Sequence, residues 1–310
     1  MQKLQKGLST FGALKHISSE GMTVLEGEKL AACRQILLEM LRDVDTLCER
    51  NGISYTLCGG TALGAVRHGG MIPWDDDIDI AMFREDLDRF LPLFRQAFGE
   101  HYWIHTPEET KGYPKLFVQV RKKGTLMREL EDLTDGEWGI PLDIFPMENT
   151  YDSTLLRRLH GLLCLGMKFG LSCRKTLAER EMLLGLAEET QARRAIRIKA
   201  AIGRVLSFAS LEAWTRGTIA CCKRCKRKGK WVVIPSGRGQ FFGEIYERAA
   251  MAEGTRVPFE RQSARLTDAA DAYLRQLYGA DYMKVPPEEK REHHAVLAFD
   301  PGTGTRRDEG

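Results

Sequence analysis

The stretch Gly59–Met82 reads GGTALGAVRHGGMIPWDDDIDIAM. It joins a glycine pair and an arginine–histidine pair to four closely spaced aspartates, Asp75, Asp76, Asp77 and Asp79. Carboxylates on one face repel each other unless a cation lies between them. Divalent cations with oxygen ligands, Mg²⁺ or Mn²⁺, suit that position. The stretch therefore predicts a metal site, and the alternative is a solvated acidic turn.

Residues 77–80 alternate charged and apolar side chains, which is the period of a β-strand. On such a strand Asp77 and Asp79 point to one face, while the isoleucines beside them point into a core. Asp75 joins this face if the strand begins early, whereas Asp76 is expected to point away. We therefore predict Asp77 and Asp79 as a pair, with Asp75 as an accessory.

A short strand is predicted upstream, over residues 53–58, where β-branched and aromatic residues cluster. It runs directly into Gly59-Gly60-Thr61 and the opening of a short helix. Backbone N–H groups at such a turn can bind an anion, and glycine lets a phosphate approach the backbone closely. Most glycine pairs after a strand are simply turns, so the prediction of a phosphate-binding turn depends on the acids that follow it.

The surrounding segments predict an α+β fold. Residues 27–50 and residues 84–98 repeat apolar side chains at three- and four-residue steps, which is typical of amphipathic helices. Residues 140–145 form an apolar run interrupted by Asp143. A lone carboxylate in an apolar strand is costly unless it is paired, hydrogen-bonded or metal-bound. Asp143 is therefore a third candidate acid, or else a strand-end aspartate that accepts backbone hydrogen bonds.

Residues 153–225 combine helical apolar patterns with many lysines and arginines. A basic amphipathic segment of this kind can make a peripheral contact with an anionic membrane surface. A helical subdomain with a solvated basic face is the more common arrangement, and we keep that interpretation. Cys221, Cys222 and Cys225 could bind zinc, but no second cysteine pair follows at the spacing of a zinc site.

The overall composition limits the classes of function. With 310 residues and 43% hydrophobic residues, the chain can bury a sizeable core. Its 46 basic and 43 acidic residues nearly balance, which gives no argument for a nucleic-acid partner. No apolar run indicates a signal peptide or a transmembrane helix, so we expect a cytoplasmic protein with reduced cysteines.

Three segments together resemble the LicD family: residues 59–82, PLDIF at 141–145, and YLRQLYGADYMKVPPEEKREHH from Tyr273. That family comprises phosphorylcholine transferases of bacterial surface glycans and is related to the fukutin group. The resemblance covers about residues 50–295 and implies a nucleotidyltransferase fold, with a mixed β-sheet, flanking helices and a helical, basic subdomain.

The expected organisation has four parts. They are a flexible lead-in (1–25), a nucleotidyltransferase-like catalytic core (26–150), a helical and mixed C-terminal part that completes the LicD-like domain (151–295), and a tail (296–310).

Carried over to this sequence, the resemblance implies that Asp77 and Asp79 bind the metal and that Asp143 is the third acid. Asp143 would complete the metal site or take the proton from an attacking sugar hydroxyl. Six further residues are candidates for contacts with the phosphates of the donor. They are Gly59, Gly60, Thr61, Arg67, His68 and Lys115. For the last three, plain surface charge is an equal alternative.

Members of that family move a phospho-alcohol, often phosphocholine, from a CDP-linked donor to a sugar hydroxyl and release CMP. The resemblance thus implies a CDP-choline-type donor, a glycan or lipid-linked glycan acceptor as in lipopolysaccharide or teichoic acid, and a site of action in the cytoplasm or at the inner face of the membrane. Two alternatives remain. One is a nucleotidyltransferase that places NMP on a small molecule and releases pyrophosphate. The other is a non-catalytic nucleotide- or glycan-binding protein, which would have no need of three converging acids.

Overall fold

The computed structural model of the protein describes most of the chain, namely residues 23–113, 115–129, 132, 137–187, 190–291 and 295–302. The lead-in and tail predicted from the sequence fall largely outside these ranges. Within them, none of the helices has the length and apolar character needed to cross a bilayer.

The described residues form ten helices and twelve strands. The helices are α1 (Gly27–Asn51), α2 (Gly59–His68), α3 (Arg84–Phe98), α4 (Thr154–Ala178), α5 (Arg180–Leu186), α6 (Thr190–Val205), α7 (Leu211–Cys222), α8 (Gln240–Gly243), α9 (Arg248–Ala252) and α10 (Ala270–Tyr278). The strands are β1 (Thr23–Val24), β2 (Tyr55–Leu57), β3 (Asp79–Phe83), β4 (Tyr102–His105), β5 (Val118–Lys122), β6 (Leu126–Glu129), β7 (Pro141–Asn149), β8 (Trp231–Val233), β9 (Ile245–Glu247), β10 (Gly254–Phe259), β11 (Gln262–Thr267) and β12 (Ala295–Asp300). Short 3₁₀ helices cover Leu206–Phe208 and Glu288–Lys290.

The largest sheet is mixed and has seven strands. Its order is β2-β3-β7-β5-β4, and β8 and β9 extend it from the far end of β7. Strands β3 and β7 run parallel, whereas β7 pairs with β5 in the antiparallel sense. The predicted α+β class with a mixed sheet and flanking helices is therefore confirmed.

Helix α1 covers this sheet with an apolar face. It ends where Gly52 takes φ 57°, in the left-handed region that glycine adopts without a steric penalty. Its buried residues join the main core, together with Phe90 and Phe94 of α3. They are Cys33, Ile36, Leu37, Met40, Leu41, Val44, Leu47 and Cys48. The helices predicted over 27–50 and 84–98 are thus confirmed.

Two boundaries differ from the prediction. Strand β3 begins at Asp79, so Asp77 lies in the preceding loop and not in the strand expected over residues 77–80. Residues 296–300, predicted as the start of the tail, belong to β12, which pairs with β1 and β6 in a separate three-stranded sheet. The loop before β3 carries Asp75 and Asp76 as well as Asp77, so these three acids lie in a loop and only Asp79 lies in the strand.

The helical part of the chain packs around α4, which contacts α6 and α7. Cys221, Cys222 and Cys225 are buried free thiols at the end of α7 and just beyond it. In the described ranges, the only group of three metal-ligating side chains with converging ligand atoms lies in the loop before β3. The zinc interpretation of the three cysteines gains no support from this geometry.

Candidate active site

A cavity of about 390 Å³ lies between the sheet and the C-terminal part of the chain. Six of the residues singled out in the sequence line it: Gly59, Gly60, Arg67, Asp75, Asp77 and Asp79. Trp74 lines it too. The cavity therefore collects most of the acids and the glycine turn in one place.

Two of the predicted acids lie side by side in the sheet. Asp79 of β3 and Asp143 of β7 are register partners in adjacent parallel strands, and the Asp143 N–H donates to the Ile78 carbonyl over 3.0 Å. Register partners project to the same face of a sheet. Asp143 is also the register partner of Gln119 in β5, so the three strands carry these polar residues in one row.

The loop acids form a second group. One carboxylate oxygen each from Asp75, Asp76 and Asp77 lies within 4.8 Å of the others. Asp76 is only 5% exposed. Asp76 does not line the cavity that Asp75 and Asp77 line, yet its carboxylate lies near theirs, because the two-residue alternation of a strand does not apply in a loop.

The glycine pair is explained by these carboxylates. A Cβ at residue 59 would lie 2.9 Å from Asp79 Oδ2, and a Cβ at residue 60 would lie 3.0 Å from Asp75 Oδ2. Gly59 also has φ +53°, a backbone conformation that other residues adopt at a cost. Its N–H donates to the hydroxyl of Tyr273 over 2.7 Å. The absence of side chains at both positions lets the acids approach α2.

Thr61 supports the strand from behind. It is 3% exposed, and its Oγ1 accepts a hydrogen bond from the Asp79 N–H over 2.8 Å. Thr61 is not part of the cavity wall. Thr61 thus holds Asp79, the first residue of β3. Its position gives no support to the predicted contact with the donor phosphates.

Arg67 lines the cavity and anchors its rim. Its Nη1 donates to the carbonyls of Tyr282 and Lys284 over 3.1 Å and 3.3 Å. Its Nε donates to His68 Nε2 over 2.9 Å. His68 is exposed and lies outside the cavity wall. Partial burial, together with the Arg67 charge, lowers the pKa of His68, which favours the neutral ring as the acceptor.

Lys115 belongs to a polar network behind Asp143. It is 7% exposed, forms an ion pair with Glu129 and is absent from the cavity wall. Burial raises the pKa of Asp143 to about 7, and the charges of Glu129 and Asp77 act in the same direction. The Lys115 charge and a hydrogen bond from Gln119 oppose this rise in pKa. Lys115 therefore influences Asp143 through the electrostatic effect of its charge, which lowers the pKa of Asp143.

Gln119 and Arg121 complete this network, and sequence reasoning assigned no role to either. Gln119 Nε2 donates to Asp143 Oδ1 over 2.8 Å, and Gln119 Oε1 accepts from Arg121 Nη2 over 2.8 Å. Arg121 is 2% exposed and forms a 2.6 Å ion pair with Asp132. The sequence did contain a signal for this network: Gln119 and Arg121 are polar residues two positions apart in an apolar strand, and such residues share one face.

Glu244 is a further acid in the cavity wall that sequence reasoning missed. It is 2% exposed, and its Oε1 accepts from the Gly239 N–H over 2.7 Å. Burial raises its pKa to about 7, against the opposing effects of this hydrogen bond and of the Lys168 and Arg238 charges. A Cβ at Gly237 would overlap the carboxylate, so the glycine-rich loop closes directly over it. No sequence pattern around Glu244 distinguishes it from a surface glutamate.

The third motif of the sequence contributes aromatic walls. Tyr273, Tyr278 and Tyr282 line the cavity, and the Arg238 guanidinium lies 5.4 Å from the centroid of the Tyr278 ring. The resemblance to a known family included this segment. Only the folded positions of α10 and the loop after it show which of its side chains face the cavity. A cavity lined both by acids and by the cations Arg67 and Arg238 suits a ligand that carries phosphate together with a divalent cation.

Comparisons with known proteins find similarity to one protein family and to transferases of phosphate-linked groups. Residues 52–151 match the family described as LicD/FKTN/FKRP, nucleotidyltransferase domain. The chain is 29% identical over 298 residues to the lipopolysaccharide cholinephosphotransferase LicD of Haemophilus influenzae, which covers 85% of this chain and 95% of that protein. It is 46% identical over 55 residues to the human ribitol 5-phosphate transferase FKRP, across 18% of this chain and 11% of that protein.

Proposed function

We propose that the chain is a member of the LicD family, whose nucleotidyltransferase-domain model matches residues 52–151, and that it transfers a substituted phosphate group to a hydroxyl of a glycan. The observation that carries this proposal is the single cavity that combines Asp77 and Asp79 with the guanidinium of Arg67. Phosphoryl transfer needs neutralised charge and in-line positioning more than covalent chemistry. The acids can hold a cation that neutralises charge, and the fixed arginine can position a phosphate, so the cavity supplies both requirements.

The donor in this proposal is a CDP-linked alcohol, and the leaving group is CMP. Phosphocholine is the favoured group, because the similarity to a cholinephosphotransferase extends over most of both chains. Ribitol phosphate is the second candidate, supported by higher identity over a much shorter segment. That segment is too short to cover the whole cavity, so it bears less on the alcohol.

The acids of the site fit Mg²⁺ or Mn²⁺. Asp77, Asp79 and Asp143 would hold the ion, with Asp75 as an accessory, because the loop carboxylates converge to within 4.8 Å and the two strand acids are register partners. Oxygen-only donor sets suit these hard ions. When bound, the ion would neutralise charge on the pyrophosphate oxygens of the donor.

Asp143 is also the proposed acceptor of the proton, as the alternative to its role as a ligand. The sugar oxygen forms a bond to phosphorus, the bond between phosphorus and the CMP oxygen breaks, and the hydroxyl proton passes to the carboxylate. A carboxylate whose pKa is raised to about 7 accepts a proton more readily than an ordinary aspartate. The hydrogen bond from Gln119 fixes the orientation of the carboxylate.

The product identifies the reaction. The purified chain is incubated with Mn²⁺ or Mg²⁺, a lipopolysaccharide-derived oligosaccharide, and CDP-choline, CDP-ribitol or CDP-glycerol, and CMP is measured. Acceptor-dependent release of CMP is expected, and the preferred donor names the alcohol. Release of pyrophosphate from CTP with phosphocholine would instead identify a nucleotidyltransferase. Metal-dependent nucleotide binding without either product would leave only a binding protein.

A variant tests the acids directly. Asp77→Ala should lower turnover by about 10²-fold or more, if a bound cation supplies several kcal/mol to the transition state. Asp88→Ala is the matched control, because Asp88 is an exposed aspartate of α3 outside the cavity. Near-normal turnover of Asp77→Ala would show that this acid has no part in the reaction.

A further inference from the structure

Helix α4 turns an apolar face outward over residues 155–169. Six large apolar side chains on it are between 41% and 67% exposed: Leu155, Leu156, Leu159, Leu162, Leu163 and Phe169. Spacings of three, four and seven residues place them on one side of the helix. We call these six residues the leucine stripe. Contiguous exposed apolar surface of this kind marks an interaction site more often than isolated apolar residues do.

The opposite face of α4 is already packed along the segment that carries the stripe. It buries His160, Gly161 and Cys164. Gly161 lies against Phe241 and Phe242. Beyond the stripe, Gly170 packs against Trp214 of α7 on the side of the helix that Leu163 occupies two turns earlier. The fold therefore holds the helix from behind and at its far end, and the leucine stripe stays exposed before that contact.

The apolar surface continues beyond the end of the stripe. Phe208 is 80% exposed, and its ring centroid lies 5.9 Å from that of Trp214. The same Trp214 packs on Gly170, the residue after Phe169 in α4. Phe208 therefore extends the stripe along the same region of the molecule.

A basic loop lies at the other end of the stripe. Residues 223–230, which we call the basic loop, read KRCKRKGK. The Lys230 N–H donates to Asp152 Oδ1 over 2.7 Å, just before the start of α4. Three of its cations are exposed and make no ion pair with any residue in the described ranges: Arg224, Lys226 and Arg227.

We propose that the leucine stripe and the basic loop together dock the protein on an anionic lipid surface. An amphipathic helix binds a membrane through its buried apolar area and through attraction between its cations and anionic headgroups. The stripe would enter the boundary between headgroups and acyl chains, and the cations of the loop would meet lipid phosphates. A second copy of the chain could cover the leucines, but it would leave these cations without counter-charges.

This docking does not depend on the proposed transfer reaction. Neither the leucine stripe nor the basic loop contributes a residue to the cavity wall. Failure of one proposal therefore leaves the other standing, and the two are tested by different measurements.

The test is co-sedimentation of the full chain with phosphatidylcholine vesicles, with and without phosphatidylglycerol, at physiological ionic strength. We expect binding that increases with the anionic lipid. The double variant Leu159→Ser/Leu162→Ser should lower the partition constant by about tenfold or more, since two partly buried leucines are lost from the interface. Neutralising Arg224, Lys226 and Arg227 to Gln should lower it about fivefold per cation.

The matched control is Val24→Ser, which changes an exposed apolar residue of β1, outside the helical part of the chain. It should leave vesicle binding unchanged, and circular dichroism checks that each variant is folded. Absence of wild-type binding, or equal binding by the leucine variant, overturns the proposal. A concentration-dependent dimer that this variant dissociates would assign the stripe to a second copy and would overturn it as well.

Discussion

Helices α1 and α4 are both 25 residues long, yet they use their apolar residues in opposite ways. Helix α1 buries its large apolar side chains against the mixed sheet. Helix α4 buries glycines, cysteines and a histidine against its neighbours and leaves five leucines in contact with solvent. The comparison shows that an amphipathic pattern predicts a helix but not which of its faces the fold covers.

The reason lies in what each helix packs against. The face of a β-sheet accepts a row of large side chains, so α1 places its leucines there. Helices α6 and α7 approach α4 closely, at Gly203 against Cys173 and at Trp214 against Gly170. Close approach requires small residues at these contacts, and the exposed leucines precede them, in the first half of the helix.

The largest expected effect compares one leucine from each helix. Leu41→Ala in α1 removes a side chain that is 1% exposed and should lower the free energy of unfolding by about 2–5 kcal/mol. Leu159→Ala in α4 removes one that is 54% exposed and should change it by less than about 0.5 kcal/mol. Urea denaturation of both variants measures the difference. Equal losses would mean that the leucine stripe is covered within the folded chain.

The second effect separates chemistry from docking. Asp79→Ala should lower the release of CMP by about 10²-fold or more and leave vesicle binding unchanged. The leucine variant Leu159→Ser/Leu162→Ser should do the reverse when a water-soluble acceptor is used. Both measurements are made on both proteins. If either variant lost both properties while remaining folded, the two regions would not be separable.

The third effect concerns the buried acid of the cavity wall. Because the pKa of Glu244 is raised from 4.5 to about 7 in the folded protein, the folded state binds this proton more tightly than the unfolded state does. Its contribution to stability is therefore fully present below pH 4.5 and is lost as the pH rises to about 7, by up to about 3 kcal/mol.

Glu244→Gln keeps an acceptor for the Gly239 N–H and cannot titrate. The difference in unfolding free energy between the wild type and this variant should therefore fall across that pH range. Chemical denaturation at a series of pH values measures it. Parallel stability curves for the two proteins would contradict the raised pKa.

The smallest effect tests the close packing of α4 with a pair of glycines. Gly170→Ala would bring a Cβ to 2.8 Å from the Trp214 ring and should destabilise the protein by about 1–3 kcal/mol. Gly166→Ala meets no atom within 4 Å and should stabilise the helix by up to about 1 kcal/mol. Thermal unfolding distinguishes them, and the same sign for both would show that α7 yields to the new methyl group.

Sequence reasoning succeeded where a local pattern carried the information. The helices over 27–50 and 84–98 and the strands around Asp79 and Asp143 follow from periodicity, because burial of one face repeats with the geometry of the backbone. The boundary of β3 was placed two residues early. Because a loop does not alternate its side chains, the sequence did not predict that the Asp76 carboxylate lies near those of Asp75 and Asp77.

Contacts distant in the sequence could not be read in this way. Lys115 was a candidate for phosphate, yet it pairs with Glu129 beside Asp143. Glu244 reaches the cavity because a glycine loop folds over it. In both cases the deciding partner lies outside the local pattern, and only the folded chain brings the groups together.

The sequence by itself determined the α+β class, the acidic motif with its glycine pair, and the resemblance to the LicD family, because these depend on the order and type of neighbouring residues. The tertiary structure alone decided which acids share a cavity, how Gln119 and Arg121 hold Asp143, and which face of α4 remains uncovered. The physical reason is that burial and electrostatic coupling depend on groups that meet only when the strands and helices pack together.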